Sequence, residues 1–169
     1  MRPAINKGGA GFAVIERLAQ EGQTSIVATA IRYAKLADDP VAVILSDGQK
    51  VQWCFMSDCL RECRGLTWPA KNSDVPPTSA TGAFNKDPRN IAGGKRVEDF
   101  TSFRTWFDGG PALELQEDVV GLGHYGKTLT VLFTQKALEE DEGSNEEDED
   151  GADTGMPSAR WTRRDRDRF

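Results

Sequence analysis

The sequence predicts an α+β fold, a short N-terminal helical pair followed by an antiparallel sheet with flanking helices. Three observations carry the secondary-structure part of that reading. Apolar residues recur at helical spacing as far as Ala37, a β-branched run followed by strict alternation begins at Val41, and a proline- and glycine-rich stretch, 69–97, separates this first hairpin from a second set of alternating residues.

After the glycine-rich opening Gly8 to Gly11, Phe12, Ile15, Leu18 and Ala19 mark a helix that stops at Gly22. Thr24 or Ser25 can cap a second helix, with Ile26, Val27, Ala30, Ile31 and Ala34 on one face, ended by Asp38-Asp39-Pro40. The run VAVILS, the Asp47-Gly48 turn and the alternation of Val51, Trp53 and Phe55 form a β-hairpin. Ser57 can cap a short helix running to Cys63 that carries Leu60 inward, with Gly65 past its end. Residues 69–97 read as a long loop with a strand around Phe84, and Val97–Phe107 as a helix with Phe100, Phe103, Trp106 and Phe107 along one stripe. Leu113 and Leu115, then Leu129, Val131 and Phe133, alternate as two final strands, so the helices are expected on one face of an antiparallel sheet. The expected domains are a helix-turn-helix-like pair over 1–39, an α+β domain over 40–137 and a disordered tail over 138–169.

Charge is unevenly distributed in the chain of 169 residues with net charge -6. Residues 1–137 hold 16 basic and 15 acidic side chains, net +1, whereas 138–169 hold 5 and 12, net -7. Ten carboxylates between Glu139 and Asp153, with no aliphatic side chain larger than Ala152, predict disorder, because such a stretch cannot bury enough apolar surface to offset its chain entropy. The closing RWTRRDRDRF is an Arg-rich patch around Trp161 that could touch nucleic acid or the acidic run. Cys54, Cys59 and Cys63 are odd in number and lack zinc-knuckle spacing, and His124 is the only histidine. They read as reduced thiols, and no metal, cofactor or two-histidine zinc site is implied. No apolar run approaches membrane-span length and no secretory leader is visible at Met1, so a cytoplasmic protein without membrane contact is expected.

Three surfaces are candidates for function. Thr29, Arg32 and Lys35 on the second helix could contact DNA. Arg89, Arg96 and Trp106 would border a ligand pocket if 69–97 closes as a lid over a sheet face carrying Trp53, Phe55, Leu129 and Val131. Gly121-Leu-Gly-His-Tyr-Gly126-Lys127-Thr128 satisfies the spacing G-x-x-x-x-G-K-T, so Gly121, Gly123, Gly126 and Lys127 form a candidate anion-binding loop. A phosphate cradle requires a helix beginning at the Lys-Thr end, and TLTVLF is a strand pattern, so a glycine-rich hairpin is the simpler reading.

The blocks IERLAQEGQTSIVATAIRYAKLADDPVAVILSDG, CFMSDCL, GLTW, WFDGG and EDVVGLGHYGKTLTVLF resemble the region C-terminal to the protease domain of ImmA/IrrE-type zinc metallo-endopeptidases. The resemblance spans about residues 12–133 and implies a helical linker followed by a GAF-like sensor domain. In that family an H-E-x-x-H protease domain cleaves a helix-turn-helix repressor under stress. This chain has no H-E-x-x-H, so none of the family's zinc ligands, nor its catalytic glutamate, can be placed on it. The implied function is therefore a non-catalytic regulatory or sensor module that senses a small molecule or docks a protein, the partner being a separate protease half or a helix-turn-helix repressor. A DNA-binding regulator is the alternative, and a phosphate-binding enzyme acting through Lys127 a distant one.

Overall fold

A computed structural model describes residues 11–134, so the expectations for Gly8 to Ala10 and for the 138–169 tail lie outside the described residues. The architecture is α+β: two N-terminal helices, then a five-stranded antiparallel sheet with helices on both of its faces.

Helix α1 (Phe12–Gly22) ends with Gln23 in the left-handed conformation, and α2 (Ile26–Leu36) is capped by Ser25, whose hydroxyl accepts from the Ala28 amide at 3.1 Å. Strands β1 (Val41–Asp47) and β2 (Lys50–Met56) form the expected hairpin, closed by Asp47 opposite Lys50 with Gly48 at φ 54°. Helix α3 (Asp58–Arg61) is shorter than predicted. The Ser57 hydroxyl does not cap it but accepts from the Val41 amide at 3.1 Å, tying the end of β2 back to the start of β1.

Two helical turns occupy the segment read as an irregular loop: α4 (Ala80–Phe84), where a strand was expected, and α5 (Pro88–Ala92). Proline at the first turn of α5 and side-chain caps from Ser79 and Asp87 account for both locally. The predicted helix Val97–Phe107 is instead strand β3 (Arg96–Ser102) followed by the four-residue helix α6 (Phe103–Trp106). Its backbone finds partners in β4 (Glu114–Gly121), which in turn pairs with β5 (Thr128–Phe133). The sheet order is β2-β1-β5-β4-β3, which puts the first and last strands side by side at the centre.

Alternation divides the sheet cleanly. Val41, Val43, Leu45, Leu129, Val131 and Phe133 pack with Phe12, Ile15, Ala30 and Tyr33 of the helical pair. Ala42, Ile44, Leu115 and Leu132 face the other way, onto Leu60, Val75, Phe103, Trp106 and Phe107. Trp53 and Phe55 pack on the helical side, so α1 and α2, not 69–97, cover the face that carries Leu129 and Val131.

Two consecutive β4 carboxylates hold these layers in place. Glu117 has no accessible surface. It accepts from the Thr81 amide at 2.8 Å, the Thr81 hydroxyl at 2.6 Å and the Ala80 amide at 3.3 Å, which receives the first free amides of α4. Asp118, on the opposite face, accepts from the Phe12 amide at 2.9 Å and supplies the cap that Gly11 has no side chain to give. Gly11 itself sits at φ 88°, and a Cβ there would lie 2.6 Å from the Asp118 carboxylate and the Phe133 ring.

Glu117→Ala should therefore cost about 3 kcal/mol, since it leaves buried donors without an acceptor, and lower the melting temperature by about 10 °C. Glu117→Gln, which keeps an acceptor oxygen, should lose less. Equal melting temperatures for Glu117→Ala and wild type in a calorimetric scan would contradict this role.

Candidate interaction site

The candidate residues named from sequence fall into separate places. In the β4–β5 connection, residues Gly123–Tyr125 make a single 3-10 turn, Gly126 is left-handed at φ 63°, and the Leu122 amide donates to the Lys127 carbonyl at 2.8 Å. Lys127 leads directly into β5, so there is no helix to point free amides at a phosphate. The Gly121 amide donates to Lys95 and the Gly126 amide to Gly123, while Lys127 Nζ lies 3.4 Å from Asp47 Oδ2. The glycine-rich hairpin expected from sequence is what the chain builds.

On α2, Arg32 and Lys35 are exposed, with Lys35 Nζ 5.0 Å from the centre of the Phe55 ring. The Thr29 hydroxyl is engaged within its own helix start, donating to the Ser25 carbonyl and pairing with the Thr24 hydroxyl at 2.7 Å. Glu16, Glu21, Asp38 and Asp39 lie on or beside the same helical pair, so its surface carries no net basic field.

Arg89, Arg96 and Trp106 are not brought together. Arg89 is an exposed residue of α5 locked to Asp87, and Trp106 is buried under the sheet with Phe103 and Phe107, its indole N–H without a partner. Arg96 lies on the other side. It spans Glu16, Glu98 and Asp118 and stacks 4.9 Å from the Phe12 ring centre. Burial pushes the Asp118 carboxyl above the usual carboxylate range, the Phe12 amide opposes this, and the Glu98 charge adds to it while Arg96 counters it. Among the thiols, burial pushes Cys54 up to about 12 and also raises Cys63.

The two sheet edges differ. Along β2 the chain covers itself: the Val51 amide donates to Ser73, the Asn72 amide to Val51 and the Val75 amide to Gln49. Along β3, residues 96–100 are exposed on both faces and no described strand lies outside them. Phe100 is 66% exposed and Val97 40%, a ring and a β-branched side chain displayed on an open edge. The Gly121 amide to Lys95 carbonyl bond and the Phe103 amide to Leu113 carbonyl bond show that odd-numbered residues turn their backbone groups to β4. Arg96, Glu98, Phe100 and Ser102 therefore present theirs outward, and the Phe100 amide is met by the neighbouring Asp99 carboxylate at 2.8 Å.

Reading Val97–Phe107 as a helix hid this edge. The signal that could have found it is local: Val97 and Thr101 are β-branched, and the run follows two glycines without a capping residue. The sequence matches no family model and no curated protein.

Two measurements follow. Because the folded chain binds the Asp118 proton more tightly than the unfolded chain, this residue's contribution to stability is greatest below its unfolded pKa and declines as pH rises through the raised folded value. Asp118→Asn removes that component, so urea melts from pH 7 downward should show the variant's stability relative to wild type falling on acidification; a pH-independent difference would refute the assignment. Iodoacetamide at pH 8 should modify Cys54 most slowly of the three thiols in the native chain and at the common rate in urea. Fast native labelling of Cys54 would show that its burial is wrongly described.

Proposed function

We propose that this chain is a non-catalytic regulatory module that works by docking a protein, and that the open β3 edge is its contact surface. The observation that carries the reading is Phe100, 66% exposed on an edge strand whose outward amides and carbonyls have no neighbouring strand among the described residues. An extended segment laid against this edge would gain main-chain hydrogen bonds, and Phe100 and Val97 would supply apolar contact on opposite faces. Three groups that could otherwise do chemistry are engaged structurally: Glu117 with α4, Lys127 with Asp47 and Asp118 with α1. An antiparallel sheet preceded by a helical pair is consistent with the regulatory region of the ImmA/IrrE-type metallopeptidases, whose separate protease half or target repressor is then the partner class.

A photoreactive phenylalanine analogue placed at position 100 of the full chain should give one discrete covalent adduct in the cell. The same analogue at exposed Arg64, beyond α3, should give none. No adduct above that control from position 100 would overturn the docking reading.

A further inference from the structure

The open edge carries a charge pattern that is complementary to itself. Reading from the end of α5 into β3, the residues are Lys95, Arg96, Val97, Glu98 and Asp99, two cations and two anions placed symmetrically about a valine. Opposing the strand to a second copy, antiparallel and centred on Val97, sets Lys95 against Asp99, Arg96 against Glu98 and Val97 against itself. Each pair occurs twice by symmetry. We infer that the β3 edge binds a second copy of this chain through that register, joining two five-stranded sheets into one across a twofold axis. The inference rests on the reading of this edge as a docking surface and assigns it to a second copy in place of a protease half or repressor.

The backbone agrees with the charges. Arg96 and Glu98 are the residues whose amide and carbonyl groups face away from β4, so they become the pairs that exchange both hydrogen bonds with the second copy. Lys95, Val97 and Asp99 fall at the intervening positions, where opposed side chains stand closer, and all three are exposed. The longer register centred on Asp99 would oppose Asp99 to Asp99 and so brings like charges together. In the Val97 register Phe100 falls opposite Gly94 of the second copy. Gly94 is at φ 60°, so the ladder ends there, and the Asp99 carboxylate already satisfies the Phe100 amide at that end. The other end of the sheet does not compete, because 72–75 runs along β2. The same charges that favour this partner oppose unrelated strands that lack the pattern, which makes the contact isologous and closed.

Three full-length proteins test the register: wild type, Lys95→Asp and Asp99→Lys. Among the described residues the Lys95 side chain bonds only that of half-buried Asn90 and the Asp99 side chain only the Phe100 amide, so both variants keep the backbone contacts that build the fold. Sedimentation velocity should give the wild type twice its 18.6 kDa mass, with each single variant dissociating at least about tenfold more readily because attraction at both symmetric positions becomes repulsion. Mixing the two variants restores opposite charge at both positions and should restore the dimer, which also shows that each is folded. A wild type that stays monomeric overturns the inference, as do single variants that dimerise like wild type or a mixture that does not recover. A position-100 adduct to a different protein with a monomeric wild type would overturn only the second copy, whereas no adduct at all overturns the docking reading beneath it.

Discussion

Two adjacent carboxylates on β4 fix both layers of this molecule to its sheet. Because neighbouring residues in a strand point to opposite faces, Glu117 and Asp118 are committed to different sides, and each receives the amides at the start of a helix. Burying a carboxylate is tolerable only when its lone pairs are met, and here the partners are donors that helices leave unsatisfied at their beginnings. Thr81 extends the Glu117 side by pairing with the Thr130 hydroxyl at 2.7 Å, and Asn85 continues it to Ser46, Thr128 and the Gly48 carbonyl. A polar seam thus runs under α4 from β4 to the β1–β2 turn. It sets where 76–85 sits, and close approach requires Gly82, whose Cβ would lie 2.4 Å from the Pro76 carbonyl oxygen.

With both faces of the inner strands covered, the edges are what the sheet offers to other molecules. The segment after α3 shields β2 with backbone hydrogen bonds, while β3 has no described strand outside it and displays Phe100. The helical pair is packed on the sheet through Phe12, Ile15, Ala30 and Tyr33, leaving Arg32 and Lys35 outward but in a nearly neutral setting. The glycine-rich hairpin engages its Leu122, Tyr125 and Gly126 amides within its own turn and donates that of Gly121 to Lys95. On the proposed reading these features suit protein docking better than phosphate chemistry or DNA contact, through hydrogen bonds at the glycine-rich hairpin and charge balance on the helical pair.

Local chemistry made much of the fold legible. The helices at Phe12–Gly22 and Ile26–Leu36, the hairpin turning at Asp47-Gly48 and the final strand are short-range patterns, each written in consecutive residues, and each forms as the pattern dictates. The candidate site was less legible. Phe100, Phe103, Trp106 and Phe107 lie at spacings a helix would use, yet Phe100 belongs to an exposed strand and the other three to the core beyond it. An edge strand open on both faces has no apolar period to read, so spacing within the segment could not distinguish the two structures.

By itself the sequence determined the α+β class, the helical pair, the first hairpin and the strand character of the TLTVLF run, because turns, caps and alternation act over a few residues. Tertiary structure decided that 96–102 pairs as a strand, that both faces of the inner strands are covered and that β3 is left open. Those outcomes depend on pairing with β4 from Glu114 to Val120 and on Glu117 reaching Thr81, contacts between residues 12 to 24 apart in one case and 36 in the other, whose free energy no short local window contains.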